Sequence, residues 1–273
     1  MSPLRYLALA LTLALIISAP VASDISVQDD LSREVRLSKP AQRIVTLSPH
    51  ATEMLLAIGA ENRLIAAAQF FDYPPSLQNI PKINTLGGLD REQILAYQPD
   101  LVIAWASGNH PGDLQWLQRS SIPVFMSEPA TIPDIATSLS RLGALVGTPE
   151  KGRLAADNFR RRITTACQRR SNAPMERVYY EIWATPPMSI GGKHWLNEIL
   201  RLAHLQNVFS NVPRAVFTLS AESLLANPVQ VIVTSQPNRE RRRTTARVIP
   251  ASPTLGRPGP RIAEGLEQLC QQL

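Results

Sequence analysis

The sequence predicts an α/β protein of two lobes with parallel sheets, joined by one long helix, with a ligand cleft between the lobes. Three observations predict it. Short apolar runs alternate with loops and helix-like segments through the first half of the chain. One long helix with a strong start signal stands near the middle. A composition break and a second α/β series follow it. Repeated strand, loop and helix is the pattern of a parallel sheet. At 273 residues and 44% hydrophobic, the chain is long enough for two lobes with real cores.

Met1 to about Ser23 reads as a signal peptide. Arg5 supplies the positive start, and Leu7 to Ile17 is an apolar stretch too short to span a bilayer. Small residues follow at Ser18, Ala19, Ala22 and Ser23, with Val21 at the third position back from a cut after Ser23. An uncleaved anchor is the competing reading. No cysteine lies nearby to carry a lipid.

The first lobe is expected over 24–146. Ile25-Ser26-Val27 and Val35-Arg36-Leu37 flank Asp29-Asp30 as a hairpin. Ile44 to Leu47 is the first core strand, ending at Ser48-Pro49. A short helix follows, to about Ile58. A strand end that feeds a helix N-terminus is where open α/β sheets place ligands. Leu64 to Ala68 is the next strand, leading into Asp72-Tyr73-Pro74-Pro75, where Pro74 keeps Tyr73 on an extended loop. Leu89 to Tyr97 reads as a helix stopped by Pro99. Leu101 to Trp105 is a buried parallel strand by its unbroken apolarity, with Ser107 to Gly112 as the loop beyond it. A helix from Asp113, the strand Val124-Phe125-Met126 and a helix from Ile132 to Leu145 complete the lobe.

The linking helix is expected over 147–170. Thr148-Pro149-Glu150 places a capping residue, a first-position proline and an acid in the first turn. Ser171 to Pro174 is the break. The second lobe, 171–273, then carries a strand at Val178 to Trp183 and helices at Trp195 to Leu202 and Ala221 to Leu225. A strand at Val229 to Thr234 and a closing helix from Arg261 to Gln271 follow.

The net charge of +6 does not point to nucleic acid. Much of the excess is local, in Arg160-Arg161-Arg162, Arg169-Arg170 and Arg239 to Arg243, without the aromatic interleaving of single-strand binders. Catalytic residues are not expected. GxSxG, GxxxxGK[ST] and HExxH are absent, and Gly191-Gly192-Lys193 lacks the rest of a phosphate loop. Ser48 and His50 stand too close along the chain to imply a triad. No metal-ligand spacing occurs. Cys167 and Cys270, the only cysteines, could form one disulfide in an exported chain, but their spacing does not decide it.

The arrangement resembles periplasmic binding proteins whose two Rossmann-like lobes are joined by a rigid helix and which serve ABC importers of cobalamin, haem and iron siderophores. The residues that carry the resemblance are Arg43 to Glu53, Asp72 to Pro75, Gln98 to Asn109, Ile182 to Gly192, Asn207 to Phe209, Leu219 to Leu225 and Pro260-Arg261-Ile262. Within that class the chain looks most like the cobalamin-binding branch. The resemblance implies export to the periplasm, a monomer, no cofactor, and delivery of a macrocyclic ligand to a membrane permease. Haem or a ferric siderophore on the same scaffold is the alternative. An exported enzyme or an interaction protein outside transport is the third reading.

A ligand the size of cobalamin needs a wide, largely apolar cleft with flat aromatic surfaces. The resemblance points to Tyr73 and Trp105, with Ser107, Gly108 and Asn109 offering polar groups and close backbone approach. Trp183 is a further candidate, against the alternative of burial in its own lobe. The branch commonly has an aromatic where Leu86 stands and another just before Leu219, which Phe217 replaces with a slight displacement. The region from Gln236 to Leu255 reads as shorter than the family pattern and arginine-rich. His50, His110 and His194 are expected on loops facing the cleft, where imidazoles could ligate iron, as could Tyr73. Local hydrogen bonding is the plainer reading of all three histidines. Glu92 and Glu222 stand near the starts of two short helices in similar contexts. The resemblance implies one permease-docking carboxylate per lobe there, and a role complementing the helix dipole is the alternative. It also implies that a cysteine in the last helix often pairs inside the second lobe, at a position that is Ala203 here.

Overall fold

The computed structural model describes residues 24–236 and 245–273. The expected signal peptide and the arginine run from Arg239 to Arg243 lie outside the described residues. An antiparallel hairpin of β1 (Ile25–Gln28) and β2 (Glu34–Leu37) opens the fold. Its turn carboxylates anchor it. Asp29 accepts from the Met126 backbone N–H and Asp30 from that of Glu128.

The first sheet is built from β3 (Ile44–Thr46), β4 (Leu64–Ala68), β5 (Lys82–Ile83), β6 (Leu101–Trp105) and β7 (Val124–Ser127). All pairings are parallel, in the order β5-β4-β3-β6-β7. Four helices cover it: α1 (Pro49–Ala57), α2 (Arg91–Ala96), α3 (Pro111–Arg119) and α4 (Ile132–Leu145). Successive strand residues point to opposite faces. Ile44, Leu101, Ile103 and Phe125 therefore bury against α1 and α4, while Val45, Val102, Ala104 and Met126 bury against α2 and α3. Both faces being covered is why these strands read as unbroken apolar runs.

The long helix α5 (Pro149–Thr165) packs along α4 with backbones nearly touching. A Cβ on Gly143 would stand 2.7 Å from the Gly152 Cα, and one on Gly152 2.9 Å from the Gly143 Cα. Only a glycine pair admits that approach. The expected cap at Thr148 is not made. Its hydroxyl donates instead to the Ile58 carbonyl at 3.4 Å, tying the start of α5 to the end of α1.

The second sheet contains β8 (Glu176–Ala184), β9 (Pro187–Ile190), β10 (Leu205–Asn207), β11 (Val216–Thr218), β12 (Val231–Thr234) and β13 (Arg247–Pro250). The helices α6 (Leu196–Leu202), α7 (Ala221–Leu225) and α8 (Ile262–Gln272) accompany it. Strand order is β11-β9-β8-β12-β13, with β10 paired to the first residues of β8. The sequence leads one to expect only parallel pairing, and the β8-β12-β13 centre is parallel. β9 and β11 add antiparallel strands. Thr185 and Pro186 alone join β8 to β9, and a connection that short can only form a hairpin.

One face of this sheet, with Val178, Tyr180, Val231 and Val233, shares a single core with α6, α8, α5 and the α1/α4 side of the first sheet. The other face, with Tyr179 and Ile232, packs against Phe209 and Leu219. A disulfide joins Cys167, just past α5, to Cys270 in α8, with the Cα atoms 5.5 Å apart. Ala203, the partner position the resemblance suggested, is buried at the end of α6. Among the described residues no helix is long and apolar enough to cross a membrane.

Candidate functional site

The strand order of the first sheet reverses at β3. The chain leaves it toward β4 and β5, then returns to its other side with β6 and β7. A crevice opens where neighbouring connections diverge in this way, outside the carboxyl ends of β3 and β6. Trp105 ends β6 at that point, half-buried. Asn109 braces the turn beyond it. Its Oδ1 accepts from the Trp105 backbone N–H at 2.7 Å and its Nδ2 donates to the Leu47 carbonyl at 2.9 Å. The Ser107 N–H and hydroxyl both donate to the Glu128 carboxylate, at 2.7 and 2.9 Å. Gly108 lies against the Trp105 benzo ring so closely that a Cβ there would overlap three ring carbons. The indole is thus held by a turn only glycine can complete. The exposed groups here are Ser107 and Gly108. Asn109, expected to offer polar groups to a ligand, is 5% exposed and spends its amide on the loop.

The expectation for His50 is corrected. It lies inside α1, 1% exposed, rather than on a loop facing the cleft. Its Nε2 is 3.0 Å from the Ser127 hydroxyl and its ring meets Trp105 edge-to-face at 5.4 Å. The ring supports the indole from within the first lobe. Ser48 as cap and Pro49 at the first position start the helix before His50, which therefore lies in its first turn and not on the loop. His110 caps α3, its Nδ1 accepting from the Gly112 N–H. The His194 Nδ1 accepts from the Leu196 N–H. Among the described residues no group of three or more His, Cys, Asp or Glu is placed to hold a metal ion.

Burial pushes the His50 imidazole down to about 3, aided by the positive charge of Arg257. The unfolded chain takes up this proton near its ordinary value of 6.5, and the folded chain only near 3. The stability tied to neutral His50 is therefore complete above the unfolded value and is lost as pH falls toward 3. Lowering pH from about 7 to about 4.5 should cut the urea midpoint of the native sequence more than that of His50→Gln. Equal losses would mean that other groups carry the acid sensitivity.

Tyr73 follows Asp72 in the loop after β4, 42% exposed. Two arginines from beyond the second sheet reach this loop. Arg257 makes a paired contact with the Asp72 carboxylate, at 2.7 and 2.9 Å, and also donates to Glu53 Oε1 at 3.1 Å. The Arg261 guanidinium lies over the Tyr73 ring, 3.9 Å from its centroid, and 3.6 Å from Glu53 Oε1. Glu53 is a buried acid in the apolar stretch of α1, and its Oε2 has no hydrogen-bond partner. Burial raises its carboxyl above the ordinary value, and Arg257 opposes that shift. Hydrogen bonding to Arg257 lowers Asp72. These contacts latch the segment after β13 onto α1 and fix the loop that carries Tyr73. A pocket of about 270 Å³ lies beside the latch, between α1, α5 and Pro260-Arg261.

Trp183 stands near the carboxyl end of β8, 52% exposed, its Nε1 donating to the Thr185 carbonyl at 2.8 Å. Phe217 is half-buried on β11, edge-to-face with Phe209 at 5.4 Å, in the core below the sheet. Leu86 is 62% exposed. Glu92 and Glu222 are exposed, each the second residue of its helix. Tyr73, Trp105 and Trp183 are thus the accessible aromatic surfaces among the candidates. The latch residues Glu53, Asp72, Arg257 and Arg261 were not singled out from sequence. Glu53 carried a signal, as an acid directly before the apolar run Met54 to Leu56. Arg257, 204 residues from Glu53, carried none.

A family model described as periplasmic binding protein matches residues 44–257. The chain belongs to that family. The vitamin B12-binding protein of Vibrio parahaemolyticus serotype O3:K6 is 32% identical over 199 residues, 73% of this chain and 72% of that protein. The vitamin B12-binding protein of Vibrio cholerae serotype O1 (strain O395) is 32% identical over 248 residues, 86% of this chain and 90% of that one. The crystal structure of the periplasmic vitamin B12 binding protein BtuF of Vibrio cholerae superposes with a TM-score of 0.79 at 30% identity, covering 85% and 96% of the two chains. The haem-binding protein RhuT from Roseiflexus sp. RS-1 shares the fold, with a TM-score of 0.74 at 21% identity over 85% and 97%. The fold of this periplasmic binding protein therefore carries ligands of more than one class among its structural neighbours.

Proposed function

We propose that this protein captures cobalamin or a related corrinoid between its two lobes and delivers it to an ABC permease at the inner membrane. The observation that carries the reading is Trp105, displayed at the reversal point of the first sheet and held there by Gly108 and His50. A flat macrocycle is recognised by flat apolar surface, and Tyr73 and Trp183 extend that surface. The vitamin B12-binding relatives support the ligand class. One core runs through both sheets and α5, so capture proceeds with little hinge motion. The protein itself makes and breaks no bond. Glu92 and Glu222 dock the loaded protein on the permease through charge-assisted pairing with arginines.

The test is isothermal titration of the mature chain with cyanocobalamin, with haemin run in parallel. Saturable one-to-one binding of cyanocobalamin is expected, weakened at least about tenfold by Trp105→Ala, as for loss of a stacked aromatic contact. Haemin binding with a shifted Soret band, and no cobalamin binding, would reassign the ligand to haem. Silence with both would send the search to ferric siderophores.

A further inference from the structure

Segments 90–101 and 220–231 are two copies of one structural unit. Each opens on a capping side chain that accepts from a backbone N–H three residues on, Asp90 from Gln93 at 2.9 Å and Ser220 from Ser223 at 3.3 Å. A glutamate follows at the second helical position. An apolar residue then turns inward, Ile94 into the core under the first sheet and Leu224 into the core under the second. The next residue turns outward, leaving Leu95 53% and Leu225 84% exposed. The span from cap to strand is also the same, from Asp90 to Leu101 and from Ser220 to Val231. Both strands run parallel beside the first strand of their sheet's series, β6 on β3 and β12 on β8.

A lone exposed leucine is ordinary on a protein surface. Two at the same station of a duplicated unit are a pattern. Each stands three residues after an exposed glutamate, and residues three apart share a helix side. The carboxylate and the isobutyl group of each copy are thus presented together.

We propose that Glu92 with Leu95, and Glu222 with Leu225, form two matching docking knobs, each entering an apolar socket rimmed by a cation on the permease. The inference rests on the transport reading above and adds the apolar half of the contact. Two like patches on one chain are matched by two like patches on a partner, which a two-fold symmetric permease provides. Carboxylates at the rim steer approach and set orientation, while an apolar centre, shielded from water, holds the complex once formed. The two halves of each knob therefore act on different rate constants. The Glu222 carboxyl is held low by the Ser220 hydroxyl and its own backbone N–H, and so stays ionised.

The experiment uses the full mature chain and its own importer permease in nanodiscs, with association and dissociation followed by surface plasmon resonance. Leu95→Ala with Leu225→Ala should raise the dissociation rate about tenfold or more with the association rate nearly unchanged, and Leu95→Met with Leu225→Met should restore slow dissociation. Glu92→Arg with Glu222→Arg should instead slow association and reverse its salt dependence, since salt then screens repulsion. Cyanocobalamin affinity and thermal unfolding should not change in any of these variants. Normal dissociation of the alanine pair, with docking lost in the arginine pair, would overturn the apolar role and leave the glutamates docking alone. Normal docking by both pairs would overturn the docking reading itself.

Discussion

Arg257→Ala should lose about 3–5 kcal/mol of stability in urea, and Glu53→Gln in the same chain should restore most of it. The Glu53 side chain is 1% exposed and has Arg257 as its nearest cation at 3.1 Å. Removing the guanidinium leaves a buried carboxylate beside Arg261 only, at 3.6 Å. An uncompensated buried charge costs several kcal/mol, whereas a neutral amide of the same shape needs no counter-ion. The remaining contact to Arg261 puts the expected loss toward the lower end. Arg257 also holds Asp72, so the Tyr73 loop loses its tie to the segment after β13. Cyanocobalamin affinity should therefore fall in Arg257→Ala and recover less than stability does on adding Glu53→Gln. If the second substitution restores nothing, Arg257 serves the loop through Asp72 rather than neutralising Glu53.

Replacing both cysteines by serine should cost about 4.7 kcal/mol, the chain-entropy figure for a closed loop of roughly 100 residues. The bond joins positions 103 apart and encloses the whole second sheet. In a chain of this size such a loss lowers the melting temperature by on the order of 10–20 °C. Arg162 pairs with Glu267 at 2.7 and 2.9 Å alongside, so α5 and α8 keep one polar link without the disulfide. That pair is part-exposed and worth little by comparison. Thermal unfolding with and without reductant, and of Cys167→Ser with Cys270→Ser, checks the figure. A fall of less than about 1 kcal/mol would mean that the unfolded chain gains little freedom when the loop opens.

The first sheet was legible because its strands are buried on both faces, so Leu101 to Trp105 reads as an unbroken apolar run. The long helix was legible from Pro149 and Glu150 at its start, although Thr148 spends its hydroxyl on Ile58 and not on a cap. The short strands β5, β9, β10, β11 and β13 were not legible. Two to four residues show too little of a period to read, whether the partner is next along the chain, as β8 is for β9, or distant, as β8 is for β10. In the candidate site, Trp105 and Tyr73 were readable from the strand end and the proline beside them. Asn109 stands on the expected loop but spends its amide on backbone groups, and His50 lies in α1 with its Nε2 on the Ser127 hydroxyl. A polar residue next to a loop looks available to a ligand until the groups it satisfies are known.

Local sequence determined what depends on neighbours along the chain: the strand–loop–helix order, the start of α5, the aromatic positions at strand ends and the duplicated glutamates. Tertiary structure alone decided what depends on distant chain meeting. The Glu53–Arg257 latch, the Cys167–Cys270 bond, the support of Trp105 by His50 and the parallel pairing of β8 with β12 all join elements from separate parts of the fold. In the latch, burial turns a loose preference into a fixed partner, because an unpaired buried charge is too costly to leave. No local pattern records which distant residue will meet that need.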